Sequence, residues 1–127
     1  MPNVEHCVGV ELNQDRIDSA IHNCKVYDVK KNKVSFINKS IADSFEEIIE
    51  LCWLKPKPRL RNEDMVFFFD PPWGGMDYQK KEFMTLFEDF SPYPMREALT
   101  KAFSLTDSVM LKLPKNTNLN ILLEEVA

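Results

Sequence analysis

The amino-acid sequence predicts an α/β domain in which a mostly parallel sheet has helices on both faces. Four short apolar segments alternate along the 127 residues with four segments whose apolar residues recur at helical spacing. Strands separated by helices of about 10–15 residues require right-handed crossovers, which produce a parallel sheet. The third apolar segment, residues 65–69, has no polar residue, which is typical of a strand buried on both faces.

Two strand–helix pairs are predicted in the first half of the chain. A strand at residues 4–10 is followed by a helix at 14–29, which Asn13 or Asp15 can cap. A short strand at 34–37 is followed by a helix at 43–54. Each helix has an apolar face at positions i, i+3, i+4 and i+7: Ile17, Ala20, Ile21 and Cys24 in the first, and Phe45, Ile48, Ile49 and Cys52 in the second.

The second half repeats the alternation. The strand at 65–69 stops at Pro71 and Pro72, because proline cannot donate to a sheet ladder. Residues 79–107 are predicted to be mainly helical, with a face made by Met95, Ala98, Leu99 and Ala102. A strand at 108–113 ends at Pro114, and a last helix carries apolar residues at 119, 122, 123 and 126. No repeat or linker interrupts this order, so one domain is expected.

Composition limits the classes of function. Hydrophobic residues make up 44% and charged residues 28%, which indicates a globular chain and excludes a disordered one. Sixteen basic and twenty acidic residues give a net charge of −4, which excludes attachment to nucleic acid by bulk charge but leaves room for a pocket that binds one nucleotide. No apolar run approaches the roughly 20 residues of a membrane span, and no signal peptide is predicted.

Two smaller features of the sequence concern cysteine and local charge. Cys7, Cys24 and Cys52 lie too far apart for paired zinc ligands, so we expect buried thiols, a reducing compartment and no metal site. The basic residues grouped at 55–61 are consistent with a solvated linker or with a loop that faces phosphate.

Ligands of parallel α/β sheets bind at the carboxyl ends of the strands. Here these ends are residues 11–12, 38–41, 70–78 and 114–118. Glu11 ends the first strand, where an acidic residue commonly accepts hydrogen bonds from the ribose hydroxyls of a nucleoside cofactor. A residue that starts the following helix is an equally good interpretation of Glu11. Leu12 would lie against an adenine ring, or pack in the core.

The segment Asp70-Pro71-Pro72-Trp73-Gly74-Gly75 carries the most specific chemistry. The two prolines remove two amide donors, so the turn offers a carboxylate and carbonyl groups as hydrogen-bond acceptors. Acceptors of this kind suit an exocyclic amine, because holding its hydrogens favours a pyramidal nitrogen that can attack a methyl group. Trp73 offers a stacking surface for a base, and the glycines allow close approach. The structural alternative is a strand-ending turn with a tryptophan in the core.

Residues 69–78, Phe-Asp-Pro-Pro-Trp-Gly-Gly-Met-Asp-Tyr, resemble the signature of the trimethylguanosine synthase family. Residues 8–11 and the helix after them resemble the family's second strand and following helix, and residues 113–116, Leu-Pro-Lys-Asn, resemble its Leu-Pro-Arg-Asn turn. The resemblance implies a Rossmann-like class I methyltransferase fold and S-adenosylmethionine as the cofactor. It also implies methyl transfer to the exocyclic amine of a 7-methylguanosine cap, on small nuclear or nucleolar RNA, in the nucleus and away from membranes.

The resemblance also implies a role for each site residue. Glu11 would hold the cofactor ribose and Leu12 its adenine, with Ser40 and Ile41 at the adenine edge. Asp70, Pro71 and Pro72 would border the transferred methyl group and the accepting amine. Trp73 would stack on the methylated guanine, while Lys115 and Asn116 would face the cap phosphates.

The sequence departs from the family pattern at three of these positions. Ser40 stands where the family usually has Asp, and Lys115 replaces an Arg, which keeps the charge but loses the bidentate fork. Asp70 stands where some members carry Ser, and it matches the wider amino-methyltransferase signature.

The sequence is also shorter than the family's catalytic domain. Residues 1–127 are expected to be a partial methyltransferase catalytic domain that lacks the first strand, its Gly-rich loop and the last strands. Loss of the first strand would leave an open edge beside residues 65–69.

Two alternatives remain beside a cap guanosine methyltransferase. Asp70 favours an adenine amino-methyltransferase of DNA or RNA, whereas Trp73 with its glycines and residues 114–116 oppose it. A non-catalytic remnant that binds a cap or RNA would keep Trp73 without a cofactor site.

Overall fold

The computed structural model describes residues 4–53, 62–73, 79–80, 82–84 and 94–126. Within these residues strands and helices alternate as predicted. The elements are β1 (Cys7–Val10), α1 (Gln14–Val26), β2 (Val34–Ile37), α2 (Phe45–Trp53), β3 (Phe67–Phe69), α3 (Met95–Leu105), β4 (Val109–Leu111) and α4 (Leu119–Val126). The chain divides into two compact units, Met1–Leu60 and Arg61–Ala127.

The described strands form two parallel pairs. β1 lies beside β2, with Cys7 opposite Val34 and Val10 opposite Ile37. β3 lies beside β4, with Phe67 opposite Val109. The parallel pairing confirms the predicted crossovers. In the described part of the chain β3 pairs with β4, and the strands form two small sheets instead of the single sheet that was predicted.

The first unit has its core between the strand pair and the two helices. Ile17 of α1, Ile37 of β2, and Phe45 and Ile48 of α2 are buried. Asn13 caps α1, because its side-chain oxygen accepts hydrogen bonds from the backbone N–H groups of the second and third residues after it, at 2.9 and 3.3 Å. Capping and burial thus position the turn that follows β1.

The boundaries of β1, α1 and α2 differ from the prediction for identifiable reasons. β1 starts at Cys7 because β2, its partner, starts only at Val34, after a 3₁₀ turn at Lys31–Lys33. The helix α1 ends at Val26 because Asp28 takes a left-handed conformation with φ 53°, and the Val29 N–H then bonds the Cys24 carbonyl at 2.8 Å. A 3₁₀ turn at Ile41–Asp43 delays α2 until Phe45.

The second unit packs α3 through the face that its spacing predicts. Met95, Ala98, Leu99 and Ala102 are all buried, together with Phe67, Phe69 and Met84. Thr106, directly after α3, is also buried. Its hydroxyl lies within hydrogen-bond distance of the carbonyl oxygens of Asn62 and Met65, and it accepts the Ser108 N–H at 3.0 Å. These contacts hold residues 62–65 outside the strand that the sequence predicts from residue 65.

The prediction that residues 65–69 form a strand buried on both faces was wrong. Phe67 and Phe69 are buried, but Phe68 between them is 60% exposed. Met110, its partner on β4, is 58% exposed on the same face. The described residues therefore cover one face of this strand pair, and the apolar run alone could not show that the other face is exposed.

The thiols are less buried than predicted. Cys7 is exposed, whereas Cys24 and Cys52 are partly buried, and all three are free. Burial raises the pKa of the Cys52 thiol.

Several expected features fall outside the described residues. These are the basic segment at 55–61, Gly74, Gly75, and residues 81 and 85–93 of the region predicted to be mainly helical at 79–107. In that region the described Met84 is not helical, because it forms a parallel bridge with Thr117. None of the described helices has the length and apolar character needed to cross a lipid bilayer.

Candidate active site

Glu11 follows the last residue of β1, and its carboxylate makes two local contacts. One oxygen accepts the Asn13 N–H at 2.8 Å, and the other lies 3.7 Å from the Arg16 guanidinium. The structure thus confirms that Glu11 helps to start α1. Its side chain is 36% exposed, so the carboxylate can still accept hydrogen bonds from a ligand. Leu12 is 72% exposed and does not pack in the core.

Asn38 ties the turn after β1 to the turn after β2. Its side-chain amide donates to the carbonyl of Glu11 at 3.1 Å and to that of Leu12 at 2.8 Å. Glu11 and Leu12, the two predicted cofactor-binding residues after β1, are therefore both held by the side chain of Asn38, which follows β2. The sequence analysis missed this role, although Asn38 lies at the predicted strand end and an amide donor there was the available signal.

Ser40 and Ile41 lie in the turn that leads into α2. The Ser40 carbonyl accepts the Ser44 hydroxyl at 2.6 Å, and Ser40 is half-buried, as is Ile41. Between them and Asn38, Lys39 forms an ion pair with Glu47 of α2. The hydrogen bond to Glu47 raises the pKa of Lys39. The first unit therefore brings Glu11, Leu12 and the turn at residues 38–41 to one edge of its strand pair.

Asp70 occupies the matching position in the second unit, directly after β3. Its carboxylate is 3.0 Å from the Lys112 ammonium, and both side chains are about half exposed. Pro71 is buried and Pro72 is exposed. The turn is thus anchored by one proline, while the carboxylate stays accessible to solvent.

Trp73 and Lys112 meet beside this carboxylate. The Trp73 indole N–H donates to the Lys112 carbonyl at 3.4 Å, and the Lys112 ammonium lies over the ring, 5.9 Å from its centroid. Lys112 is held in turn by β3, because its N–H donates to the Phe69 carbonyl at 2.9 Å. We name Asp70, Trp73 and Lys112 the β3 corner. The sequence analysis missed Lys112, because its closeness to Asp70 depends on the register of β3 and β4.

Lys115 and Asn116 lie in the turn that follows β4. Pro114 is buried, and its carbonyl accepts both the backbone N–H and the hydroxyl of Thr117, at 3.1 and 2.7 Å. The Asn116 carbonyl accepts the Met84 N–H at 2.8 Å. Lys115 is exposed at the tip of this fixed turn, where a cation can reach an anionic ligand.

The two sets of residues offer different chemistry. The first unit presents an accessible carboxylate, which can accept hydrogen bonds from ribose hydroxyls, beside an exposed leucine, which fits an apolar base face. The second unit presents a carboxylate and an indole ring held by one lysine. Among the described residues no three histidine, cysteine or acidic side chains cluster to bind a metal ion.

Comparison with known proteins extends these observations. A family model described as RNA cap guanine-N2 methyltransferase matches residues 2–127. The chain is 26% identical over 111 residues to the trimethylguanosine synthase of Schizosaccharomyces pombe, an alignment that covers 87% of this chain and 42% of that protein. It is also 33% identical over 120 residues to an uncharacterized protein of Acanthamoeba polyphaga mimivirus, with coverage of 93% and 41%.

The chain therefore spans about two fifths of the length of these relatives. The family match includes every predicted site residue, from Glu11 to Asn116, and nearly the whole sequence. This chain belongs to the RNA cap guanine-N2 methyltransferase family.

Proposed function

We propose that this chain takes part in methyl transfer from S-adenosylmethionine to the exocyclic amine of a 7-methylguanosine RNA cap. The observation that carries the proposal is the β3 corner, where one lysine contacts both an exposed carboxylate and a tryptophan ring. A planar cationic base needs both groups: a ring for stacking and an acceptor for its amine. Family membership supports the reaction class.

Asp70 is the proposed orienting group. Its carboxylate accepts a hydrogen bond from the amine and stabilises the positive charge that develops on nitrogen during transfer. Pro71 and Pro72 leave the neighbouring carbonyl groups without competing N–H donors. No covalent intermediate with the protein is needed, because the amine nitrogen would attack the methyl carbon directly as the bond from that carbon to the cofactor sulfur breaks, with S-adenosylhomocysteine as the leaving group and the proton from nitrogen passing to solvent.

Trp73 is the proposed stacking surface for the methylated guanine. Its ring is half-buried and its indole N–H is tied to the Lys112 carbonyl, which limits rotation of the ring. The 7-methyl group makes the guanine cationic, so the ring adds a cation–π attraction to ordinary stacking. Lys115 and Asn116, in the turn after β4, are proposed to face the cap phosphates.

The cofactor supplies an electrophilic methyl group. In the first unit Glu11 is proposed to hold its ribose and Leu12 its adenine, with Ser40 and Ile41 at the adenine edge. The accessible Glu11 carboxylate and the exposed Leu12 fit these roles. Ser40, where the family usually has Asp, offers a hydroxyl as the acceptor of the adenine amine.

The proposed partner of the whole protein is capped RNA of the small nuclear or nucleolar type, in the nucleus. This proposal depends on family membership and on the similarity to the trimethylguanosine synthase of Schizosaccharomyces pombe. The part of the chain that the structure describes supports only the recognition of a base, an amine and a phosphate.

Methyl transfer tests the reaction and separates it from the adenine alternative. A protein that contains this chain together with the first strand, the Gly-rich loop and the last strands of the family's catalytic domain is incubated with methyl-labelled S-adenosylmethionine and either a 7-methylguanosine triphosphate cap analogue or an adenine-containing oligonucleotide. We expect label on the guanine amine only. Label on adenine would favour the adenine amino-methyltransferase, which the carboxylate of Asp70 also suits.

Calorimetry with S-adenosylhomocysteine tests the remaining alternative. A cap-binding remnant would release heat with the cap analogue and none with S-adenosylhomocysteine. Binding of both ligands is the expected result for a chain that holds the cofactor and the cap.

Lys115→Ala tests the phosphate contact. Affinity for the triphosphate cap analogue should fall more than affinity for the 7-methylguanosine nucleoside, and the difference should shrink at high salt. Lys25→Ala, an exposed lysine of α1, controls for the loss of one charge. Equal losses for nucleoside and triphosphate would place Lys115 away from the phosphates.

A further inference from the structure

The β3 corner already contains a cation. The Lys112 ammonium contacts both groups that the proposed function assigns to a cationic base: the Asp70 carboxylate at 3.0 Å and the Trp73 ring at 5.9 Å from its centroid. An ammonium and a methylated guanine make the same two kinds of interaction, a charge-assisted hydrogen bond to a carboxylate and a cation–π contact. The lysine therefore stands where the ligand's charge would be.

Two properties of Lys112 indicate how it acts on binding. Its backbone is fixed, because its N–H bonds the Phe69 carbonyl at 2.9 Å and its carbonyl accepts the indole N–H. Its side chain is 57% exposed, so the ammonium can leave the corner for solvent without moving the strand. Exposed ion pairs and exposed cation–π contacts are weak, so a small ligand can displace the Lys112 ammonium at a small cost in free energy.

We propose that Lys112 is a specificity-determining residue that competes with a planar cationic base for Asp70 and Trp73. A cationic guanine regains the interactions that it displaces, whereas neutral guanine regains stacking and the hydrogen bond from its amine to Asp70 but no cation–π attraction. The displaced ammonium remains next to the corner and repels the cation. Lys112 therefore weakens binding of the cationic base and limits how far the corner prefers it over the neutral base.

This inference rests on the proposed function for the identity of the base. The role of Lys112 as a competing cation is inferred from contacts within the second unit alone. Nucleosides are the appropriate probes, because they carry no phosphate that a lysine could attract.

The test compares wild type with Lys112→Met, which keeps the length of the side chain and removes its charge. Titrations of 7-methylguanosine and guanosine are followed by the ¹H–¹⁵N signal of the Trp73 indole. We expect about 2- to 5-fold tighter binding of 7-methylguanosine to Lys112→Met, as removal of one weak ion pair and cation–π contact predicts. Guanosine should gain less.

Two control variants separate this local effect from others. Lys112→Arg keeps the charge and should bind 7-methylguanosine within about 2-fold of wild type. Lys101→Met removes a lysine that pairs with Glu97 on α3, and it controls for the change in total charge. Weaker or unchanged binding of 7-methylguanosine to Lys112→Met would overturn the proposal and make Lys112 a support for the corner.

A second pair of probes distinguishes failure of this inference from failure of the proposed function. The probes are 1-methylnicotinamide, a planar cation without a guanine, and neutral nicotinamide. If 7-methylguanosine does not bind but 1-methylnicotinamide binds more tightly to Lys112→Met, the competition is established and the proposed substrate is wrong. If both cations bind without any dependence on Lys112, the competition is wrong and the proposed function stands.

Discussion

The turns after β1 and β3 place a carboxylate at the same point of a parallel strand pair, yet they hold it differently. Glu11 bonds an N–H two residues away and lies near Arg16 in the first turn of α1. Asp70 pairs with Lys112, which is 42 residues away in sequence. The carboxylate in the first unit is therefore positioned by its own segment, and the carboxylate in the second unit by tertiary structure.

The difference extends to the neighbouring groups. Asn38 holds the first turn through two neutral hydrogen bonds to backbone carbonyls. The β3 corner is held by a charged side chain that contacts both a carboxylate and a ring. Neutral bonds to backbone support the local fold, whereas exposed charged groups can exchange their partners for a ligand. We therefore expect substitutions in the turn after β3 to affect chemistry, and substitution of Asn38, which supports the turn after β1, to affect stability.

The largest expected effect is that of Asp70→Ala on methyl transfer. Under the proposed function, and in a protein that contains this chain together with the first strand, the Gly-rich loop and the last strands of the family's catalytic domain, the turnover rate should fall by roughly 100-fold or more, as removal of one preorganised electrostatic group commonly produces, with little change in cofactor affinity. Asp70→Asn should keep part of the rate, because its amide oxygen still accepts one hydrogen bond. The measurement is the initial rate at saturating cap analogue.

Asp107→Ala is the matched control for this measurement, since Asp107 is an exposed carboxylate of the same unit. A near-normal rate for Asp70→Ala would show that Asp70 does not orient the amine. The turn after β3 would then have only a structural role, like the turn after β1.

Trp73→Ala should weaken binding of 7-methylguanosine by about 1–3 kcal/mol through lost stacking. Binding of guanosine should suffer less, because only the methylated base is cationic. Dissociation constants from calorimetry measure the effect, and Phe103→Ala, an exposed aromatic of α3, is the control. Equal losses for the two bases would refute a cation–π role for Trp73.

Asn38→Asp should lower the free energy of unfolding by about 0.5–1.5 kcal/mol, because both donors to the carbonyls of Glu11 and Leu12 are lost. Urea denaturation measures this change. Asn23→Asp makes the same substitution at an exposed site of α1 and should have a smaller effect. If the two variants are equally stable, Asn38 does not hold the first turn.

The smallest expected effect is that of Arg16→Ala. The Arg16–Glu11 pair is long at 3.7 Å and the Arg16 side chain is 74% exposed, so its removal should change the unfolding free energy by less than about 0.5 kcal/mol. The same denaturation experiment measures this change. A loss above about 1 kcal/mol would mean that the ion pair, and not the hydrogen bond to Asn13, positions Glu11.

Local patterns predicted much of the fold. The bounds of β2 and the buried face of α3 agree with the prediction, because both depend on the spacing of apolar residues. The left-handed Asp28 and the 3₁₀ turns moved the ends of other elements. Backbone conformation at single residues decided those ends, and hydrophobic periodicity carries no signal for it.

The site residues stay predictions from the sequence, and the contacts that they make were not predicted. Asp70 and Trp73 were singled out because their types and spacing suit an amine and a base. Asn38 and Lys112 were missed, since an isolated amide or lysine in sequence resembles any solvated residue. Each acts through a partner that only strand pairing brings close.

The sequence by itself determined the alternation of elements, the parallel crossovers and the family, because periodicity and motifs are local properties of the chain. Tertiary structure decided which face of β3 is buried and which cation meets Asp70. The physical reason is register: pairing Phe69 with Leu111 puts Lys112 beside Asp70, and it puts Phe68 beside Met110 on an exposed face. A shift of one residue in that pairing would move Lys112 away from Asp70 and would separate Phe68 from Met110.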